Sequence, residues 1–245
     1  MFKNKKVIIF DMDGTLIDSV GIWNTTDEIL IKKLSRGQKI EVNNIQQMRD
    51  GVLAKCKSED IYLEYCDYLR KRYNSDMSAE KILALRWQIS DKYIKQQIEY
   101  KPNADVLLHL LKRKGFILAL ATTTTNIQLD AYRNVNQNIK QKADINATFD
   151  IILSREDVKE KKPSPEVHNK IMKILDVKQT DCLIIEDSLI GVQAGVNAGI
   201  DVAVMYDKYS DGDRDEINRL SQYQFNNFKE IINQVENELE IDVER

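Results

Sequence analysis

An apolar run that ends abruptly on carboxylates constrains this chain more than any other feature. Ile8-Ile9-Phe10 leads into Asp11-Met12-Asp13-Gly14-Thr15-Leu16. Such a run reads as a strand covered on both faces that delivers acids to its C-terminal tip, where open α/β sheets place their sites. The later run Cys182-Leu183-Ile184-Ile185-Glu186-Asp187-Ser188 repeats the arrangement. Two acid-bearing strand tips point to one shared, metal-assisted site.

The 245 residues suit one large domain, or a core with an accessory domain. A hydrophobic content of 42% suffices for a sizeable core. The net charge of -3 gives no general attraction to nucleic acid or to an anionic membrane. No apolar run reaches the roughly 18 residues of a spanning helix. The basic start Met1-Phe2-Lys3-Asn4-Lys5-Lys6 does not read as a signal peptide, because Asp11 and Asp13 interrupt the apolar run behind it. Cys56, Cys66 and Cys182 show no metal-ligand spacing, and neither histidine lies near one in sequence. They read as neutral thiols of a reducing cytosol, and the expected location is cytoplasmic.

The chain divides by its rhythm. After a strand at 6–10, residues 20–98 carry helical periodicity without a convincing buried strand, with helices expected near 25–34, 45–53, 58–73 and 78–100. Ser58 is a plausible cap for the third, with Glu59 and Asp60 favouring its start. Strand and helix then alternate. Strands are expected at 116–121, 149–153, 182–185 and 202–205, with a short edge strand at 224–225. Helices are expected at 105–114, closed by Gly115, and at 126–134, 165–175 and 188–198. The polar stretch after 134 shows no periodicity, and 209–214 reads as a mobile, solvated loop. The fold class is therefore α/β: an open, mostly parallel Rossmann-like sheet flanked by helices, with an inserted all-helical region. The expected division is 1–19 with 99–245 as catalytic core, and 20–98 as helical cap.

The strand tips suggest phosphoryl chemistry. An ionised Asp11 can attack phosphorus, provided a divalent cation offsets the repulsion between two anions. Asp187 is the best remote ligand, with Glu186 a second candidate, and Mg2+ suits such an oxygen-rich site. Asp13 is close enough for acid–base work on the leaving oxygen and then on water. Gly14 relaxes the backbone as the strand turns back. In Ala121-Thr122-Thr123-Thr124-Thr125-Asn126 a strand runs into hydroxyls and a helix start. Thr122 and nearby amides could bind phosphoryl oxygens, or the threonines could form a solvated cap. In Lys159-Glu160-Lys161-Lys162-Pro163-Ser164-Pro165, Lys161 or Lys162 could stabilise the transferring group.

Four elements in this order resemble the haloacid dehalogenase superfamily: Asp11-Met12-Asp13-Gly14-Thr15-Leu16-Ile17-Asp18-Ser19, Thr122, Lys162-Pro163-Ser164-Pro165, and Glu186-Asp187-Ser188. Gly191, Ala194, Gly195 and Gly199 extend the last match, and the likeness runs from about residue 5 to 225. The resemblance implies that Asp11 is nucleophile and magnesium ligand. It implies that Asp13 is the acid–base residue, also coordinating through its backbone carbonyl. Thr122 and Lys162 bind phosphate and serve catalysis, with Thr123 and Asn126 assisting at the substrate. Asp187 ligates the metal, and Glu186 supports or shares that coordination. The insert resembles a cap that closes over small phosphorylated substrates.

The similarity points to the branch of phosphoglycolate phosphatase and beta-phosphoglucomutase. Trp23 stands where the mutases usually carry histidine, and Met48-Arg49-Asp50-Gly51-Val52 does not reproduce their sugar-phosphate signal. Thr15 also suits the phosphatases better. The expected activity is a magnesium-dependent phosphatase working through an aspartyl-phosphate, with a hexose-phosphate mutase and a non-catalytic phosphometabolite-binding protein as alternatives. The expected partner is a small phosphorylated metabolite, without nucleic acid polymer or membrane, for a monomer or weak homodimer. Trp23 is expected to pack, Arg49 to be solvated on a helix surface, and neither His109 nor His168 to act directly. Asp211, Asp213 and Asp215 lack the spacing of a calcium loop.

Overall fold

The computed structural model describes residues 1–36, 45–53, 55–56 and 60–240. It separates into two compact units, Met1–Asp18 with Ile98–Arg245, and Ser19–Gln97.

The first unit is built on a six-stranded sheet: β1 (Val7–Phe10), β2 (Ile117–Ala121), β3 (Ile151–Leu153), β4 (Cys182–Glu186), β5 (Asp201–Met205) and β6 (Tyr223–Phe225). Every pairing is parallel and the spatial order is β3-β2-β1-β4-β5-β6. The order reverses between β1 and β4, so the C-terminal ends of these strands flank the crevice where such sheets hold ligands. The continuous apolar runs follow from burial on both faces: all of Val7, Ile8, Ile9 and Phe10 are buried.

The second unit holds the helices α1 (Val20–Leu34), α2 (Ile45–Leu53), α3 (Ile61–Arg72) and α4 (Ala79–Gln96). Leu30, Ile31, Leu34, Tyr65, Cys66, Leu69 and Ile82 form its core. Helix α1 starts five residues before the predicted 25. Its first turn holds Val20 and Gly21, and the Ser19 side chain makes no cap bond there. Ser58 and Glu59 lie outside the described residues, and Asp60 caps α3 by accepting from Leu63 N at 2.9 Å. Ser78 caps α4 by accepting from Lys81 N at 3.4 Å. Helix α4 stops short of residue 100 because the chain there rejoins the first unit, where Tyr100 bridges Ile17.

Arg49 corrects the expectation of a solvated side chain. It is buried and pairs with Asp27 at 3.1 Å, while Arg86 takes the other oxygen at 2.7 Å. Trp23 packs as expected, edge-on to Trp87 and 4.9 Å from the Arg86 guanidinium.

The first unit continues with α5 (Ala104–Arg113), α6 (Asn126–Asp130), α7 (Gln137–Lys142), α8 (Ile145–Thr148), α9 (Glu166–Leu175), α10 (Leu189–Asn197), α11 (Arg214–Leu220) and α12 (Phe228–Glu240). Val167 and Ile171 of α9, Val192 of α10 and Ile217 of α11 pack with Val7, Ile9, Ile184 and Val202 of the sheet. Helices α5 and α12 pack together, with α5 against β2 and α12 against β6. Residues 209–214 are not a loop. They form a 3-10 turn over Lys208–Asp213 that runs into α11, held where Asp207 accepts from Tyr209 N at 2.8 Å. Among the described residues no helix is long and apolar enough to cross a membrane.

Candidate active site

Each candidate group sits where a strand releases the chain. Asp11 follows β1, and its N–H still donates to Ile185 O at 3.0 Å. A tight turn comes next, with Leu16 and Ile17 both donating to Met12 O. Gly14 has φ +87°, and a Cβ there would stand 2.4 Å from Asp187 Oδ2. Only glycine meets both the left-handed backbone and this close approach. Thr122 follows β2 and donates its N–H to Leu153 O at 3.0 Å. Glu186 ends β4, and Asp187 follows it.

Carboxylate oxygens of Asp11, Glu186 and Asp187 lie within 4.8 Å of one another, and all three residues are buried. Lys162 is the cation among them. Its Nζ donates to Asp11 Oδ1 at 2.7 Å and to Glu186 Oε1 at 2.8 Å. Glu186 Oε2 accepts the N–H groups of Asp187 and Ser188 at 2.7 and 2.9 Å, and the Ser188 hydroxyl at 3.1 Å. Both its oxygens are therefore committed. Asp187 Oδ1 accepts from the Thr15 hydroxyl at 2.6 Å. Asp187 Oδ2 and Asp11 Oδ2 accept no hydrogen bond among the described residues.

The electrostatics follow from this shortage of donors. Burial pushes the Asp11 carboxyl up to about 7, with Lys162 pulling it down and Glu186 pushing it further up. Burial and the nearby Glu186 and Asp11 charges hold Asp187 well above the ordinary aspartate range. Burial alone would lower the Lys162 ammonium, but Asp11 and Glu186 hold it above the usual lysine value. Carboxylates in this state gain from a hard divalent cation, and an all-oxygen donor set with two uncommitted oxygens fits Mg2+.

The Asp13 carboxylate stands outside this trio and accepts from the Thr124 hydroxyl. Thr124 N–H in turn donates to Thr122 Oγ1 at 3.0 Å, leaving the buried Thr122 hydroxyl its own proton to give. Thr123 is exposed at the rim. Asn126 is exposed, its N–H is taken by Glu156 at 2.9 Å, and its side chain makes no hydrogen bond among the described residues. Sequence reasoning gives Thr124 no role of its own, and Thr15 and Ser188 enter only as parts of the matched motifs. The even spacing of 122 and 124 past a strand end was the available signal for Thr124. His109 is exposed on Lys142 O at 2.9 Å, and His168 is buried without a hydrogen bond among the described residues. Burial pushes the Cys66 thiol up to about 12 and the Cys182 thiol up to about 11, leaving both unreactive. Among the described residues, Asp211, Asp213 and Asp215 form no metal-type cluster.

The haloacid dehalogenase-like hydrolase family matches residues 8–205. Phosphoglycolate phosphatase of Aquifex aeolicus is 27% identical over 205 residues, covering 81% of this chain and 84% of the relative. Phosphorylated carbohydrates phosphatase of Thermotoga maritima is 24% identical over 200 residues, covering 80% and 82%. The crystal structure of CbbY from Rhodobacter sphaeroides in complex with phosphate superposes with a TM-score of 0.64 at 22% identity. That alignment covers 91% of this chain and 95% of CbbY, and shows a common fold.

Proposed function

Because this chain belongs to the haloacid dehalogenase-like hydrolases, we propose that it hydrolyses a small phosphomonoester, with Mg2+, through an aspartyl-phosphate on Asp11. The observation that carries this reading is the convergence of two uncommitted aspartate oxygens with a lysine and a hydroxyl pair at neighbouring strand ends. Two relatives named as phosphatases support it.

Asp11 and Asp187 would hold the cation, with the Asp13 backbone carbonyl completing the protein ligands as the family resemblance implies. When bound, the cation offsets the carboxylate charge against the incoming phosphate and polarises its oxygens. One carboxylate oxygen of Asp11 attacks phosphorus while the ester oxygen leaves. Lys162 and the Thr122 hydroxyl neutralise and orient the equatorial oxygens. Asp13, held by Thr124, gives its proton to the leaving oxygen. It then takes a proton from the water that attacks the phosphoenzyme, returning Asp11 as carboxylate and releasing phosphate. Glu186 acts as a positioning residue, because its oxygens fix Lys162 and the turn that carries Asp187. The helical insert 20–98, read as a cap, would select the substrate.

A phosphate-release screen over small phosphomonoesters with Mg2+ tests this reading, with Asp11→Asn and Asp13→Asn beside the parent. Turnover in the parent should fall at least a thousandfold in Asp11→Asn. Unchanged release from a folded Asp11→Asn protein would remove the nucleophile assignment. Isomerisation of a hexose 1-phosphate without net release would favour a mutase.

A further inference from the structure

The Asp187 carboxylate has a cation in its vicinity that the proposed chemistry does not use. Lys101 lies where the chain has just re-entered the first unit. Its N–H donates to Leu16 O at 2.8 Å, and its neighbour Tyr100 bridges Ile17. The same turn carries Thr15, whose hydroxyl donates to Asp187 Oδ1 at 2.6 Å. The Lys101 backbone is thus tied to the segment that touches Asp187. Its ammonium goes to another acid, Asp207, at 2.6 Å, in a pair whose side chains are 14% and 5% exposed.

Strand order brings Asp207 to this place. It stands two residues past the end of β5, which pairs with β4, and β4 ends one residue before Asp187. Both acids therefore emerge from the C-terminal ends of adjacent parallel strands. Asp207 is held on three sides. Its Oδ1 accepts from Tyr209 N at 2.8 Å, its Oδ2 from Lys101 Nζ, and its carbonyl from Arg214 at 2.7 Å. The Lys101 charge is felt at Asp187: burial, Glu186 and Asp11 hold that carboxyl up, while Thr15 and Lys101 pull it down. Asp187 Oδ2 accepts no hydrogen bond among the described residues. A buried acid with an oxygen to spare gains from any ammonium that can pair with it. Here Asp207 takes the ammonium, and the Asp187 oxygen stays available to a metal.

We propose that Asp207 is a positioning residue for the metal site: by holding the Lys101 ammonium, it keeps this internal cation from occupying Asp187 in place of Mg2+. The inference rests on the Mg2+ site of the reading above, and it adds to that site two residues outside the four matched motifs.

The test is the Mg2+ affinity of the full chain, measured by calorimetry without any phosphoester. Asp207→Asn keeps an oxygen for Tyr209 N but turns an NH2 group toward Lys101, and so releases the ammonium. A lysine that then occupies Asp187 about nine-tenths of the time lowers the apparent Mg2+ affinity about tenfold. Adding Lys101→Met to Asp207→Asn removes the competitor and leaves neither partner of the pair charged and buried alone. Affinity should then return to within about twofold of the parent. Lys101→Met by itself should bind Mg2+ no more weakly than the parent. Equal affinity in Asp207→Asn and the parent overturns the proposal. So does a loss that Lys101→Met fails to restore, or a loss in Lys101→Met alone, the results that a purely structural ion pair gives. A parent that takes up no Mg2+ overturns it together with the metal site. A parent that binds Mg2+ but releases phosphate from no ester in the screen fails the phosphatase reading alone, and the order of affinities among the variants still decides this one.

Discussion

Gly191 and Gly51 both lie inside helices, in α10 and α2, and intrinsic propensity treats them alike: alanine should stabilise either helix by about 1 kcal/mol. The surroundings reverse this for one of them. A Cβ on Gly51 meets nothing within 4 Å, whereas a Cβ on Gly191 would stand 1.6 Å from Glu186 Oε1 and 1.9 Å from its Cδ. Restoring an ordinary 3.4 Å contact requires Glu186 Oε1 to retreat by about 1.8 Å, which breaks its 2.8 Å bond to Lys162. The Ser188 and Asp187 donors on the other oxygen are strained by the same movement. A charge-assisted hydrogen bond contributes about 1.5–3 kcal/mol, and breaking a buried ion pair costs about 3–5 kcal/mol. Lys162 keeps Asp11 as a partner, and the helix gains its propensity term. A net loss of about 2–3 kcal/mol remains for Gly191→Ala, equivalent to about 5–10 °C in Tm. Gly51→Ala should instead gain about 0.5–1 kcal/mol. Urea unfolding and thermal melts of both variants measure the contrast. Phosphate release should fall at least tenfold in Gly191→Ala, because Lys162 loses its support. Equal stabilisation by the two substitutions would refute the close approach of α10 to Glu186, and with it the positioning role of that residue.

Thr124→Val removes the hydroxyl on the Asp13 carboxylate without touching the Asp11 and Asp187 carboxylates; kcat should fall about ten- to hundredfold with KM nearly unchanged, read from steady-state phosphate release. The raised Asp11 carboxyl near 7 stabilises the cation-free fold at low pH, and that contribution is lost as pH rises through the folded value. Mg2+ reverses this by holding the ionised form, so the Tm increase it gives should be larger at pH 8 than at pH 5, and a pH-independent increase would contradict the assignment. His168 has the opposite sign: burial, then Lys162, push it down to about 3 from 6.5, so it favours the fold fully above pH 6.5 and less as pH falls toward 3. Between pH 7 and pH 5, His168→Met should therefore lose about 2 kcal/mol less stability in urea than the parent, a difference that isolates this imidazole from the carboxylates.

What the sequence made legible was mostly local. Strands covered on both faces leave unbroken apolar runs, which is why β1, β2, β4 and β5 were expected within a residue or two of their ends. Helices α7 and α8, of 6 and 4 residues, are too short to display a period. Helix α11 and the turn before it were hidden by a composition of Asp, Ser, Gly and Lys. Tertiary contacts hold them instead: Arg214 stacks 4.7 Å from the Tyr206 ring and donates to Asp207 O at 2.7 Å. Arg49 misled for the same reason. Its partner Asp27 lies 22 residues away, and the second arginine on that carboxylate is 59 residues from it.

The site shows the boundary most clearly. The acids at 11, 13, 186 and 187 and the hydroxyls at 122–125 stand at strand tips that periodicity locates. Which oxygen Asp11, Asp13 and Asp187 have to spare depends on groups 111 to 172 residues away, and for Glu186 on a lysine 24 residues away and on the turn that follows it. One buried lysine serves two of the carboxylates, a threonine hydroxyl serves Asp13, and among the described residues the Asp187 side chain receives only the neutral Thr15. Lys101 does lower the Asp187 carboxyl, but its Nζ is bound to Asp207 at 2.6 Å. The oxygens left without a donor among the described residues are therefore on Asp11 and Asp187, and Asp187 lies against a glycine whose missing Cβ leaves it room. Had Glu186 been the acid with an oxygen to spare, Lys162 would be held by Asp11 alone among the described residues, with one bond to fix its position in place of two. The division of labour between Glu186 and Asp187, adjacent acids of the same motif, thus follows from where their donors are, a property of the folded chain that their order in the sequence does not contain.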